Sequence, residues 1–333
     1  MSKRIKDTDY LFLSTYTHVL ETTLLTHARM ERMLEAPTDA DALRVLVECG
    51  YPELSVIDVD GVNHMLAKMR DRVFGDLYAI VPDPRLLDVF KIKYDYHNAK
   101  ALLKAEAMGT DAERLLVDVG RYAPALLTQR VREKSDAGLS EYLAQAIAEA
   151  RELLGTTRDP QRADFVLDKF CFLEMEALAR ETGSDFLVGY VRAQVDLANL
   201  KSLVRVLRMG KSPDYLSEVL FEGGTISADA LLRMARKGDK LESIYAATPY
   251  AAAAEAGQSA VSGGRLTDFE RLCDNTLMDY LVQAKTVPFG EQVLIGYLGA
   301  RESELTAVRI IMTGRLAGLK ADLIRERLRE AYV

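Results

Sequence analysis

The chain has 333 residues, 49% of them apolar and 28% charged, a composition with enough apolar mass for packed cores and none of the bias of a disordered segment. Its formal charge of -7 excludes the concentrated cationic surface on which nucleic-acid binding depends. Three scattered cysteines (Cys49, Cys171, Cys273) exclude a thiolate metal site or a disulfide framework, and the longer apolar stretch Val293–Ala300 is too short for the roughly 18 residues of a membrane span.

Helical periodicity runs through the sequence. A first helix carries Tyr10, Tyr16, Arg29 and Arg32, and a short element spans Asp41 to Gly50. The segment from Asp95 to Gly109 reads as a helix closed by a left-handed glycine, with Thr110-Asp-Ala-Glu113 in capping-box spacing directly after it. Asp159-Pro160 marks the start of a helix, because proline is tolerated in the first turn. Within it Phe165, Val166, Phe170, Leu173, Ala177 and Leu178 recur at three- and four-residue steps. Another helix ends at Gly210, Ser212-Pro213 opens the next, and 223–227 and 257–264 read as loops. Thr267-Asp-Phe-Glu270 starts a further helix, ahead of the last long one.

Self-comparison organises these elements. Asp95-x-x-Asn98-x-Lys100 up to Gly109 recurs as Asp196-x-x-Asn199-x-Lys201 up to Gly210, at an offset of 101 residues. Setting Gly314 against Gly210 gives a third copy with Arg309 opposite Arg205, and with Ala300 and Ser303 in place of the Asp/Asn pair. Asp111–Gly120 and Asp214–Gly223 form a second repeated element, and Asp41–Gly50 has the same length. Repeats this long exceed ordinary solenoid units, so pseudo-threefold symmetry is expected. The Asp/Asn pairs admit two readings: they satisfy backbone groups or pair between repeats, or they line a shared concave surface.

Catalytic motifs fail in specific ways. Met209-Gly210-Lys211-Ser212 resembles the end of a phosphate-binding loop, but Arg205 stands where the motif needs glycine. The segment also falls at a helix C-terminus, where the backbone dipole repels anions. His18, His27, His64 and His97 are too scattered for a metal site, and GxSxG, HExxH and GxGxxG are missing. No catalytic, cofactor-binding or metal residue is assigned.

Lys93-Tyr-Asp95-Tyr-His-Asn98-Ala-Lys100, Asp196-Leu-Ala-Asn199-Leu-Lys201, and Pro288-Phe-Gly-Glu291 through Gly296-Tyr-Leu-Gly-Ala-Arg301-Glu302-Ser-Glu304 to Arg309 carry a family likeness. The sequence resembles the C subunits of archaeal and bacterial A/V-type ATPases, whose eukaryotic V-type counterpart is the d subunit, from the first helix to the C-terminus.

That resemblance implies an all-α fold in which three pseudo-symmetric helical repeats form a funnel around a central cavity. The expected divisions are 1–115 (with a truncated N-terminal unit), 116–225 and 226–333. It implies a non-catalytic rotor part on the cytoplasmic side of the membrane, without cofactors. Such a part connects the central-stalk subunits D and F to the membrane proteolipid ring (K/c/L) and transmits torque for proton or sodium transport. Candidate cavity-lining or inter-repeat residues are Arg29, Arg32, Asp95, Asn98, Lys100, Asp196, Asn199, Lys201, Glu302, Glu304 and Arg309. Without the resemblance, the same repeats suit a stand-alone helical adaptor.

Overall fold

The computed structural model describes residues 5–333, of which no residue lies in a strand; the fold is all-α, with 72% helix. The chain opens with α1 (Leu11–Glu21), α2 (His27–Leu34), α3 (Asp39–Glu48) and α4 (Val59–Tyr78). Next come α5 (Arg85–Met108), α6 (Pro124–Glu133), α7 (Glu141–Thr157), α8 (Pro160–Thr182) and α9 (Asp185–Arg208). Four shorter helices follow: α10 (Leu216–Val219), α11 (Ala228–Lys237), α12 (Glu242–Tyr245) and α13 (Ala251–Val261). The last three are α14 (Leu266–Val282), α15 (Glu291–Leu316) and α16 (Ala321–Arg325). Two compact units result, one joining the residues up to Pro84 with Thr267–Val333, the other running from Arg85 to Leu266.

In the first unit α15 is the axis of the core. Leu305, Val308, Ile311 and Met312 pack with Met33 of α2, Leu46 of α3, Met65 and Leu66 of α4, and Ile324 of α16. The apolar stretch Val293–Ala300 is buried throughout, as expected for a helix enclosed on every side. Thr26, Thr38 and Asp58 cap α2, α3 and α4 by accepting from the backbone N–H of Arg29, Asp41 and Gly61. At the other end of α2 the Arg315 guanidinium donates to the carbonyls of Met33, Leu34 and Ala36 at 2.8–3.0 Å, satisfying acceptors that the helix leaves open.

In the second unit α5, α7 and α8 pack together, and α9 packs on α8 and α13. Lys100 and Lys104 of α5 pair with Asp168 and Asp164 of α8 at 2.5 and 2.6 Å, and the Phe90 and Tyr190 rings stack with centroids 5.3 Å apart. Asp159 caps α8 ahead of Pro160, as the sequence predicts.

The helical corners are where sequence and structure part. Gly109 (φ 65°) and Gly210 (φ 63°) end α5 and α9 in the left-handed region, and the next N–H returns to the helix: Thr110 to Ala105 O at 3.0 Å, Lys211 to Val206 O at 3.3 Å. The long helix α15 ends in the same way at Gly318 (φ 69°), where Leu319 N–H reaches Gly314 O at 3.0 Å. Gly314, expected to make that corner, lies inside α15, where a Cβ would stand 2.8 Å from Ile324 Cγ1. Its glycine serves close packing of α16.

Further expectations differ. Residues 257–261, read as part of a loop, close α13; the single first helix is a 3-10 turn with Tyr10, then α1 with Tyr16 and α2 with Arg29 and Arg32; and α14 begins at Leu266, ahead of Thr267. Thr110 makes no capping box; the Asp111 carboxylate accepts from Glu113 N–H at 3.0 Å and opens a 3-10 turn. Asp41–Gly50 is almost wholly regular α-helix. By contrast, Asp111–Gly120 and Asp214–Gly223 begin with a 3-10 turn and become extended at Leu116 and Leu220. The N-terminal segment therefore matches these two in length and end residues, not in conformation.

Candidate functional site

Counted back from the left-handed glycines, the three long helices share one register. Asp95, Asp196 and Glu304 each stand fourteen residues before Gly109, Gly210 and Gly318, and Lys100, Lys201 and Arg309 stand nine before. The third copy thus reads Glu304-x-x-Ala307-x-Arg309, opposite Asp-x-x-Asn-x-Lys. Aligning on Gly314 hides this by four residues, about one helical turn.

All three carboxylates are buried, and each holds the chain that leads into another helix. Asp95 Oδ1 accepts the N–H of Arg121 at 2.8 Å and of Tyr122 at 3.2 Å. Asp196 accepts Thr225 N–H and Ile226 N–H, both at 3.0 Å, with the hydroxyls of Thr225 at 2.5 Å and Tyr250 at 3.0 Å. Glu304 accepts Leu25 N–H at 2.5 Å, the Tyr51 hydroxyl at 2.5 Å and the Arg301 guanidinium. Tyr122, Ile226 and Leu25 each directly precede the N-cap residue of a helix, respectively α6, α11 and α2. In the third case the chain's beginning supplies the segment that the second unit takes from just downstream.

Asparagines complete two of the three corners. Asn98 donates to Val117 O at 2.8 Å and accepts Val117 N–H at 2.9 Å, and Asn199 does the same with Phe221 at 2.8 and 2.7 Å. A side-chain amide offers a donor and an acceptor side by side at any pH, and so can clamp both backbone groups of one residue. At Gly120 and Gly224 a Cβ would lie closer than 3.0 Å to Asp95 Oδ1 and Asp196 Oδ1, a separation real Cβ atoms essentially never show. The incoming backbone therefore needs glycine where it passes each aspartate.

Charge compensation differs at each corner. Arg121 Nε donates to Asp95 Oδ2 at 2.8 Å and its terminal nitrogen to Glu174 at 2.7 Å, while Glu174 also accepts the Tyr96 hydroxyl at 2.8 Å. Burial pushes the Asp95 carboxyl above its ordinary value despite Arg121. Burial also opposes the charge on Arg121, yet Glu174 and Asp95 outweigh it and hold the guanidinium above its usual range. At Glu304 the buried Arg301 donates to the Tyr297 hydroxyl and to Thr23 Oγ1. Among the described residues no guanidinium pairs with Asp196; its oxygens are held by the Thr225 and Tyr250 hydroxyls and by the N–H groups of Thr225 and Ile226.

Among the contacts of the described residues, none of the remaining candidates bonds directly to these three carboxylates. Arg29 donates to Leu24 O at 2.7 Å, and Arg32 forms an exposed pair with Glu48 at 3.1 Å. Glu302 pairs with Arg70 of α4 at 2.9 Å, Lys201 is half-buried on α9, and Arg309 is exposed on α15. Sequence reasoning missed Arg121, Glu174, Tyr250, Tyr51 and Arg301. Of these only Arg301, three residues before Glu304 and hence on the same face of a helix, left a local signal.

With their oxygens engaged by backbone and side-chain donors, these carboxylates fasten segments of chain. No group of three or more His, Cys, Asp and Glu suited to a metal ion occurs among the described residues. Lys211 follows a helix C-terminus, with its Nζ over the Tyr215 ring at 4.2 Å from the centroid.

The family model described as ATP synthase (C/AC39) subunit matches residues 13–327, nearly the whole of this framework. The chain belongs to that family. Among its relatives, the C subunit of the V-type ATP synthase of Thermus thermophilus is 25% identical over 329 residues, covering 96% of this chain and 98% of the relative. The C subunit of the V-type sodium ATPase of Enterococcus hirae is 26% identical over 271 residues, 80% and 81% of the two chains. The C subunit of the A-type ATP synthase of Halorubrum lacusprofundi is 30% identical over 289 residues, 80% and 79%. As a member of the C/AC39 family the chain is an accessory part of a rotary ATPase, and none of its described helices is long and apolar enough to cross a membrane.

Proposed function

We propose that this C/AC39 protein is the coupling piece of the rotor, joining the D/F shaft to the proteolipid ring on the cytoplasmic side and transmitting torque between them. The observation that supports this reading is the repeated corner. A torque-bearing part needs joints that do not yield, and each buried carboxylate ties an irregular segment to a long helix by charge-assisted bonds inside the protein, where such bonds are strong. Three joints in one register also support a threefold arrangement of the repeats 1–115, 116–225 and 226–333 around a central cavity, with the shaft received in the opening. The relatives are named for V- and A-type machines, which agrees with a role in ion-coupled synthesis or hydrolysis of ATP.

The test is association. Purified chain is expected to bind the D/F complex and the isolated ring at one copy each, and an assembly lacking it should hydrolyse ATP without moving ions. Failure to bind either partner, or undiminished coupling without the chain, overturns the reading.

A further inference from the structure

We infer that the second unit carries two docking grooves, built on one repeated wall, for a basic, partly aliphatic segment of a neighbouring subunit. One groove, of about 860 Å³, opens between the extended linker after the first corner and the length of α6; the other, of about 490 Å³, opens between the linker after the second corner and the first half of α11, with Leu153 of α7 and Phe165 and Lys169 of α8 on its far side. Leu116, Asp118 and Thr128 line the first, and Leu220, Glu222 and Leu232 line the second at the same 104-residue offset. The long helices repeat at 101 residues, so the second linker is three residues longer, yet the wall recurs across this insertion.

Both grooves are built before any partner arrives. The Asn98 and Asn199 clamps hold Val117 and Phe221, so the flanking leucine and acid on either side of each are fixed. Fixed groups lose little entropy on binding. The occupant's chemistry follows from the rim. Four carboxylates face one arginine around the first groove, and four face two cations around the second. Several are internally paired, such as Glu218 with Arg162 and Glu133 with Arg130, but Asp118 and Glu222 enter no ion pair among the described residues and are exposed. A half-buried leucine beside an unpaired acid calls for an aliphatic side chain flanked by lysine or arginine. Two grooves on this repeated wall call for that kind of segment twice.

This inference rests on the reading of the chain as part of an assembly, though not on its rotation. Photo-crosslinking substitutions Leu116→p-benzoylphenylalanine and Leu220→p-benzoylphenylalanine, made separately in the assembled ATPase, are expected to label peptides of a partner subunit in which Lys or Arg flanks an aliphatic residue. The double variant Asp118→Lys/Glu222→Lys should weaken binding of the labelled subunit about tenfold at unchanged melting temperature, as expected for two exposed charge reversals. Asp118→Asn/Glu222→Gln should weaken it less, and serves if the reversal disturbs folding. No labelling from either position, labelling of acidic or uncharged segments, or unchanged affinity in both double variants overturns the grooves. Normal binding to shaft and ring with unlabelled grooves defeats this inference alone. Labelling of a basic segment on a stationary subunit keeps the grooves and defeats the rotor reading instead.

Discussion

Glu304 accepts the backbone N–H of Leu25 at 2.5 Å, a bond that spans 279 residues and fastens the last long helix to the start of the chain. The same carboxylate neutralises Arg301, which is 2% exposed. Removing one partner of a buried pair leaves the other charged and unsolvated, so Glu304→Ala should cost about 3 to 5 kcal/mol. Tyr51→Phe removes one hydroxyl from the network and should cost about 1 to 2 kcal/mol. Urea denaturation checks both, and a cost for Glu304→Ala below that of Tyr51→Phe would show that the pair does not stabilise the unit.

The glycines facing the aspartates give a second expectation. Gly120→Ala and Gly224→Ala each place a methyl against a carboxylate oxygen that is already held by backbone N–H groups and cannot swing away. Each should destabilise by roughly 2 to 3 kcal/mol, within the range for overpacking of a filled site. Gly210→Ala meets no neighbouring atom and strains only a left-handed backbone, so it should cost about 1 kcal/mol. Equal losses at all three positions would contradict the close approach.

Those glycines also mark how far the sequence could be read. Helices, most of their ends and the first two corners were legible because apolar period, capping residues and glycine act locally. The third corner was misplaced because a glycine within a helix and a glycine ending one look alike in sequence; Gly314 is there for Ile324, whose proximity only the fold reveals. With that register lost, Glu304 could not be matched to Asp95 and Asp196. The partners of the carboxylates were out of reach for a different reason. Arg121 and Glu174 lie 26 and 79 residues from Asp95, and a buried charge announces nothing about which distant residue will compensate it. The recurrence of Asp-x-x-Asn was visible, but its role in pinning backbone required the linkers to be seen in place.

The asparagine clamp makes a directional prediction. In Asn199→Asp a carboxylate oxygen would face the Phe221 carbonyl where an N–H now donates, next to the buried Asp196. The result is a buried, repelled charge, costing about 3 to 5 kcal/mol at neutral pH, whereas Asn199→Ala only leaves the two Phe221 groups unpaired, about 1 to 3 kcal/mol. Denaturant midpoints that place alanine below aspartate would refute the assignment of donor and acceptor.

Asp95 supplies a pH dependence. Its carboxyl is raised above the ordinary 3.8 chiefly by burial, against the pull of Arg121. The folded protein therefore takes up this proton more readily than the unfolded chain. The site's contribution to stability grows as pH falls from neutrality through the folded-state pKa, and is complete below the unfolded value. Asp95→Asn cannot titrate, so the margin by which the parent protein exceeds this variant should be wider at pH 5 than at pH 7. Paired urea titrations at the two pH values measure it, and a margin that narrows would reverse the inferred direction.

Arg309 separates packing from recognition. By register it matches Lys100, which pairs with Asp168 of a neighbouring helix, and yet Arg309 itself is exposed. An exposed charge contributes little to folding, so Arg309→Glu should leave the denaturation midpoint within about 0.5 kcal/mol of the parent. If α15 presents this side chain to the shaft or the ring, the same variant should lose affinity for that partner, with a salt dependence weaker than the parent's because an attractive rim charge has been reversed. A lowered midpoint with intact binding would instead make Arg309 a support between helices, as Lys100 is.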